Sequence, residues 1–266
     1  MLNAIIKELE TKPFDIARLG LRGATGISLF FFLYARHTDK EEYEERACTL
    51  LEKVLENTAS LTSHSYAQGI AGVGNTVRFL LTESFVEADS TDFFNDIDKI
   101  IRTELKKEMP VAFGFESGIT GLGHYALQSA ENTETIRLTV EHLLSAFRVS
   151  EYQPHCVSPL FLFPSEILQD VKLFLLQIKD KPEFSNPISS LHKAIETFEK
   201  NNAVLQSNCP EYFTLQALRA AELNRDLEKI HTLLPVIASE SSDIVLQGLA
   251  CMSLENPALP AWWKLY

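Results

Sequence analysis

A chain of 266 residues is long enough for one large core, and its composition, 45% hydrophobic and 23% charged, is that of an ordinary soluble globular protein. The formal net charge of −12 argues against a nucleic-acid surface, which needs clustered Lys and Arg that do not occur along this sequence. Cys48, Cys156, Cys209 and Cys251 are scattered and form no CxxC pair, which suits free thiols in a reducing cytoplasm rather than a disulfide framework.

The N-terminal stretch carries Glu8 and Glu10 and no sustained apolar run, so it does not read as a secretory signal. Residues 2–11 form an amphipathic segment, followed by a run, Ile27 to Ala35, that is apolar all round. That run is far too short to span a bilayer, so no membrane association is expected. After a cap at Asp39, Tyr43, Ala47, Leu50, Leu51, Val54 and Leu55 share one helical face while Glu41, Glu45, Glu52 and Glu56 lie away from it. Ser90 or Thr91 caps a third amphipathic segment with Phe93, Phe94, Ile97, Ile100, Ile101 and Leu105 at helical spacing. Further stripes follow at Ile136, Val140, Leu143, Leu144 and Phe147, and, behind Pro187, at Ile188, Leu191, Ile195 and Phe198. Between these lie weakly charged segments that read as more buried helices. The pairs are 2–11 with 23–36, 40–58 with 69–83, 91–107 with 118–130, 133–149 with 157–178, 187–201 with 210–223, and 225–237 with 242–255.

Three of the buried segments open on one glycine pattern: Gly23-Ala-Thr-Gly26, Gly69-Ile-Ala-Gly72-Val-Gly74 and Gly118-Ile-Thr-Gly121-Leu-Gly123. Their first glycines stand 46 and 49 residues apart, the signature of a repeat architecture. No strand precedes them and the order is G-x-x-G-x-G, so they are not a dinucleotide fingerprint. They are expected to admit close backbone approach and tight or left-handed turns. Six helical hairpins with polar outer and apolar inner members predict a single all-α domain over 1–266, an α/α toroid. The repeat is clear over 20–130 and degenerate over 131–266, where only Gly248 remains of the eleven glycines and Pro154, Pro159 and Pro164 crowd the fourth inner segment. The aromatic tail with Trp262, Trp263 and Tyr266 is expected to pack back on the helices.

Gly69-Ile-Ala-Gly-Val-Gly-Asn-Thr-Val-Arg-Phe-Leu80 and Ser117-Gly-Ile-Thr-Gly-Leu-Gly-His-Tyr-Ala-Leu127 resemble the repeated SGxAGxGxxLL segments of the lanthionine synthetase C-like (LanC-like) family. The resemblance implies an α/α toroid. It also implies a place in the maturation of ribosomally made peptides, with a precursor peptide and peptide-modifying enzymes as partners. Well-known members are zinc cyclases that add a cysteine thiolate across a dehydrated residue, holding the metal with two thiolates and one imidazole and leaving the fourth position open. Here Cys209 is similar in place to one ligand, but Leu246-Gln247-Gly248 keeps only the glycine of the segment that supplies the other two. No zinc site of the family type, and no cofactor, is therefore expected.

His155 is similar in place to a family histidine and is the candidate catalytic base, with Cys156 beside it replacing a glycine. The family's Asp four residues before the third-repeat glycine falls at Gly114, with Glu116 the nearest carboxylate. Glu116, His124, Cys156 and Cys209 are the candidate cavity-lining, substrate-binding residues. Three functions follow as expectations: a zinc-less LanC-like protein that binds a precursor peptide or its modifying enzymes; an active peptide-modifying enzyme, a thioether cyclase or relative, working through His155 without zinc; and a toroidal carbohydrate-active enzyme using Glu116 and Glu166 as paired carboxylates.

Overall fold

The computed structural model describes residues 1–107, 112–129, 132–152, 164–201 and 210–266. Among them every regular element is helical and no strand occurs. In chain order the helices are α1 (Leu2–Thr11), α2 (Ala24–Thr38), α3 (Glu41–Asn57), α4 (Ile70–Thr82), α5 (Thr91–Leu105), α6 (Ile119–Leu127), α7 (Thr133–Tyr152), α8 (Ser165–Ile178), α9 (Ser185–Asn201), α10 (Pro210–Leu223), α11 (Leu227–Glu240) and α12 (Ile244–Glu255). Short 3-10 turns lie at Thr58–Ser60, Pro182–Phe184 and Trp262–Leu265. The predicted helices are reproduced with boundaries shifted by a few residues, residues 157–163 lying outside the described ones, but their packing crosses the predicted pairs: α2 lies on α3 and α6 on α7, and α11 on α12 is the pair that packs as predicted.

Burial alternates as the charge pattern requires. Odd-numbered helices bury one stripe each, such as Ala47, Leu51 and Val54 on α3 or Ile97, Ile101 and Leu105 on α5, while Ile100, expected on that stripe, is exposed. Even-numbered helices are buried more widely: every residue of α2 from Ala24 to Ala35 is buried. Its Phe30, Phe31 and Phe32 are each removed from water, worth about 2–3 kcal/mol per ring as an upper figure.

The chain groups into two compact units. One comprises Met1–Thr91 with Glu211–Tyr266, the other Asp92–Pro210. In the first, α12 lies on α2 and α1, with the ring of Phe30 2.3 Å from where a Cβ on Gly248 would stand. The aromatic tail packs back within the same unit: Trp262 is buried and donates its indole N–H to Ser253 Oγ at 2.8 Å, and Trp263 donates to Glu222 at 2.7 Å. In the second unit α6 packs on α7 and α8, and a Cβ on Gly123 would meet Phe174 at 2.7 Å and Thr139 at 2.8 Å.

Two local expectations are corrected. Among the described residues no glycine has a positive φ, so the repeated glycines do not serve left-handed turns. They serve close approach, because loop carbonyls fold back onto the helix starts. The N–H groups of Ala24, Ile70 and Ile119 donate to the carbonyls of Arg18, Ser63 and Ala112 at 2.9, 3.1 and 3.2 Å. Cβ atoms on Gly23, Gly69 and Gly118 would stand only 1.7, 2.3 and 2.6 Å from those same carbonyl oxygens. Asp39, read as the cap that opens α3, instead closes α2 in the left-handed conformation (φ 55°, ψ 43°), which a short polar side chain tolerates. Its N–H donates to Ala35 O, and the residue before α3 is Lys40.

Candidate functional site

In the second unit the segment before α6 meets α8. Thr120 Oγ1 donates to Phe113 O and fixes the turn from below, and Phe115 N–H donates to the carboxylate of Asp170 at 2.7 Å. Asp170 is 0% exposed, and its Oδ2 lies 3.4 Å from where a Cβ on Gly114 would stand. A buried carboxylate from α8 thus borders the space beside position 114, at ordinary contact distance from where a Cβ would stand. Glu116 stands half-buried in the turn just before α6, and Glu166 is half-buried in the first turn of α8, where Ser165 Oγ donates to it at 3.2 Å.

His124 lies on α6, 4% exposed. Its Nδ1 is 3.0 Å from the side-chain amide of Gln177 on α8, and Phe115 meets the imidazole edge-on with ring centroids 5.2 Å apart. Phe115 therefore joins His124 and Asp170 in one buried neighbourhood. Of the other predicted site residues, His155, Cys156 and Cys209 lie outside the described residues. Sequence reading missed Asp170. Its signal was a polar residue repeated on an otherwise buried α8 stripe, Asp170, Phe174 and Gln177 at spacings of four and three.

A second polar group is buried in the first unit. Tyr66 precedes α4, and the amide of Asn75 on α4 donates to its hydroxyl. Burial pushes the Tyr66 phenol above its usual value, opposed by that hydrogen bond and by the positive charges of Arg219 on α10 and Arg78 on α4. The phenol is neutral at physiological pH. Gln216 and Arg219 extend the same buried polar surface along α10. At the start of α10, Glu211 accepts the hydroxyls of Ser241 and Ser242 and the N–H of Ser242. Burial alone would raise its carboxyl, but these bonds and nearby Arg22 hold it below the usual carboxylate range.

The zinc donor set does not assemble from the described residues. Leu246, on the segment that would supply ligands, is fully buried in the core and has no lone pair to offer, and Gln247 follows it half-buried. Cys251 is buried on α12, which pushes its thiol up and disfavours the thiolate a metal needs, whereas His231 is exposed on α11. Among the described residues no three His, Cys, Asp or Glu side chains converge as a metal site, and no helix is long and apolar enough to cross a membrane.

No curated protein sequence matches the chain. Among solved structures, nisin cyclase is similar with a TM-score of 0.56 at 12% identity, over 90% of this chain and 73% of that one. That likeness shows the fold, an α/α toroid. The family model for lanthionine synthetase C-like proteins matches residues 21–156. That match spans half of the sequence and contains all three glycine loops, and on this ground the chain belongs to the lanthionine synthetase C-like family.

Proposed function

We propose that this protein serves lanthipeptide-type maturation by binding a precursor peptide or its modifying enzymes, without zinc-dependent thiol activation. Family membership and fold support the lanthipeptide-related role. The observation that carries the zinc-less reading is the start of α12, where Leu246 and Gln247 stand in place of two metal ligands and Leu246 belongs to the core. Without a thiolate and an imidazole there, a substrate cysteine is not held as thiolate, and thioether closure lacks its activated nucleophile.

The test combines two measurements on protein purified without chelator or added metal. Calorimetric titration with a synthetic lanthipeptide precursor is expected to show saturable binding. Elemental mass spectrometry is expected to find zinc near background. A stoichiometry of about one zinc per chain, as a structural or catalytic site would give, would overturn the reading and return zinc cyclisation to first place.

A second reading, metal-free peptide modification with His155 as base, is favoured by one observation. Asp170 brings a carboxylate to the space beside Gly114, the position where the family carries an aspartate. In that reading His155 takes the proton of the attacking thiol and returns it to the developing enolate, while the Asp170 carboxylate holds the turn before α6 through its bond from Phe115 N–H. His155→Ala with the fold intact is expected to abolish turnover of dehydrated precursor; unchanged turnover removes His155 from the chemistry.

A further inference from the structure

In the first unit a cavity of about 520 Å3 opens between α1, the 12–23 loop, the start of α2 and the middle of α3. That volume lies within the range of about 300–1,000 Å3 typical of ligand pockets. Leu9, Phe14, Ile27, Phe31 and Leu50 make its apolar floor. Lys12, Arg18, Arg22, Arg46 and Lys53 line it against a single carboxylate, Asp15. In a chain of net charge −12 this is a pronounced local reversal of sign. Two of the cations are already matched: Arg22 pairs with Asp243 at 3.0 Å, and Arg18 stands 3.9 Å from Asp15. Lys12, Arg46 and Lys53 form no ion pair among the described residues. Arg46 is held in place, its guanidinium 5.0 Å over the Phe31 ring and donating to Glu10 O, so its charge is positioned without being neutralised. The loop also carries two exposed large hydrophobics, Phe14 at 38% and Ile16 at 49%.

The geometry points to this cavity as the docking site for an acidic, amphipathic peptide segment. One apolar side chain seats between Phe14 and Phe31, and flanking carboxylates meet Lys12, Arg46 and Lys53. Charge complementarity selects the occupant: in a chain of net charge −12 the cations that line this cavity favour an acidic segment and set both its encounter and its register. The floor rejects a purely polar anion, because Leu9, Ile27 and Leu50 offer it nothing for its lost hydration. The inference rests on the peptide-binding reading above and deepens it by naming where and what kind of segment binds.

The test uses the full chain and a fluorescein-labelled synthetic peptide, Glu-Leu-Asp-Phe-Glu-Leu, read by fluorescence anisotropy. Saturable binding is expected, weakened at least tenfold by raising salt from 50 to 300 mM and at least tenfold by the Lys12→Glu, Lys53→Glu pair. The charge-matched control, Lys99→Glu with Lys193→Glu, both exposed in the other unit, is expected to leave binding within twofold. Arg46→Gln supplies an independent loss without charge reversal, and a thermal melt of each variant checks the fold. Three results would each overturn the inference: no binding, equal binding of a Lys-Leu-Lys-Phe-Lys-Leu probe, or displacement by decanoate at the probe's own concentration, which marks a small-anion site instead. The lanthipeptide precursor separates the two readings. Precursor binding untouched by Lys12→Glu, Lys53→Glu sinks this site and leaves the proposed function standing. Probe binding lost in that pair, with no binding of the precursor, does the opposite.

Discussion

The starts of α2, α4 and α6 and the start of α12 meet the same requirement in two ways. Every helix begins with backbone N–H groups that lack an intrahelical acceptor. At α2, α4 and α6 the acceptors are main-chain carbonyls of the preceding loop, six or seven residues back, and no side-chain cap is made. Such a carbonyl reaches an N–H only if the neighbouring residue has no Cβ, so each of these starts carries glycine. At α12 the acceptor is a side chain: Asp243 Oδ1 takes the N–H groups of Val245 and Leu246 at 2.9 and 3.3 Å. α11 does likewise with Asp226. A side-chain cap asks nothing of the loop, and there the glycine signature disappears. At α12, what reads as decay of the repeat is a change in how the helix start is satisfied.

The sharpest way to break this contrast is Gly72→Ala. The new Cβ would stand 1.9 Å from Tyr66 O and 2.8 Å from Leu21 N, both backbone atoms. Neither loop is free to retreat, because Gly20, Leu21 and Arg22 donate to the carbonyls of Gln68, Tyr66 and Ala67. A loss of about 3 kcal/mol or more is expected in chemical denaturation, at the upper end for overpacking. A loss under about 1 kcal/mol would mean that the two loops yield together, and the close-approach account would fail.

Asp243→Ala probes the other side. It removes the cap of α12 and the ion pair with Arg22, both groups about one-fifth exposed. The expected cost is about 1–2 kcal/mol, with Asp243→Asn recovering the larger share because an amide oxygen still caps. Equal losses in the two variants would place the energy in the ion pair instead.

The helix pattern was legible because apolar spacing is local: the α3, α5 and α9 stripes are written within each segment. The glycines were legible as a period, yet their physical reason was not, since a carbonyl seven residues back leaves no mark of its own. Asp39 misled because aspartate suits both a helix start and a left-handed helix end. The site was the least legible part. Asp170 and Phe115 are 55 residues apart, and His124 and Gln177 are 53 apart, so their meeting depends on α6 packing on α8. Lys12, Arg18, Arg22, Arg46 and Lys53 are likewise too dispersed along the chain to read as a basic cluster.

Glu211→Gln tests the same turn through pH. The wild-type carboxyl is held low by Ser241, Ser242 and Arg22 against the opposing effect of burial. A carboxyl depressed in the folded state stabilises fully above its unfolded value, about 4.3, and that contribution is lost as pH falls through the folded value. The variant is expected to be less stable by about 1 kcal/mol at pH 7, with the gap closing below about pH 4. A gap that stays constant down to pH 3 would show that the hydrogen bonds do not depend on the charge.

Gly114→Ala gives the smallest effect and separates position 114 from the repeat glycines. It too precedes α6, and its neighbour Gly118 would place a Cβ 2.6 Å from Ala112 backbone atoms. At position 114, however, the nearest atom to a new Cβ is Asp170 Oδ2 at 3.4 Å, followed by Ile167 at 3.5 Å, both ordinary contacts. No backbone carbonyl is in the way. The methyl group would cover one flank of the Asp170 carboxylate without displacing its bond from Phe115 N–H. A change within about 0.5 kcal/mol is expected in chemical denaturation, near neutral because the lower entropy of the unfolded chain offsets what little crowding remains. A loss of about 2 kcal/mol or more would mean that the Asp170 side chain has no freedom to adjust, and that position 114 must stay open for the carboxylate to reach Phe115.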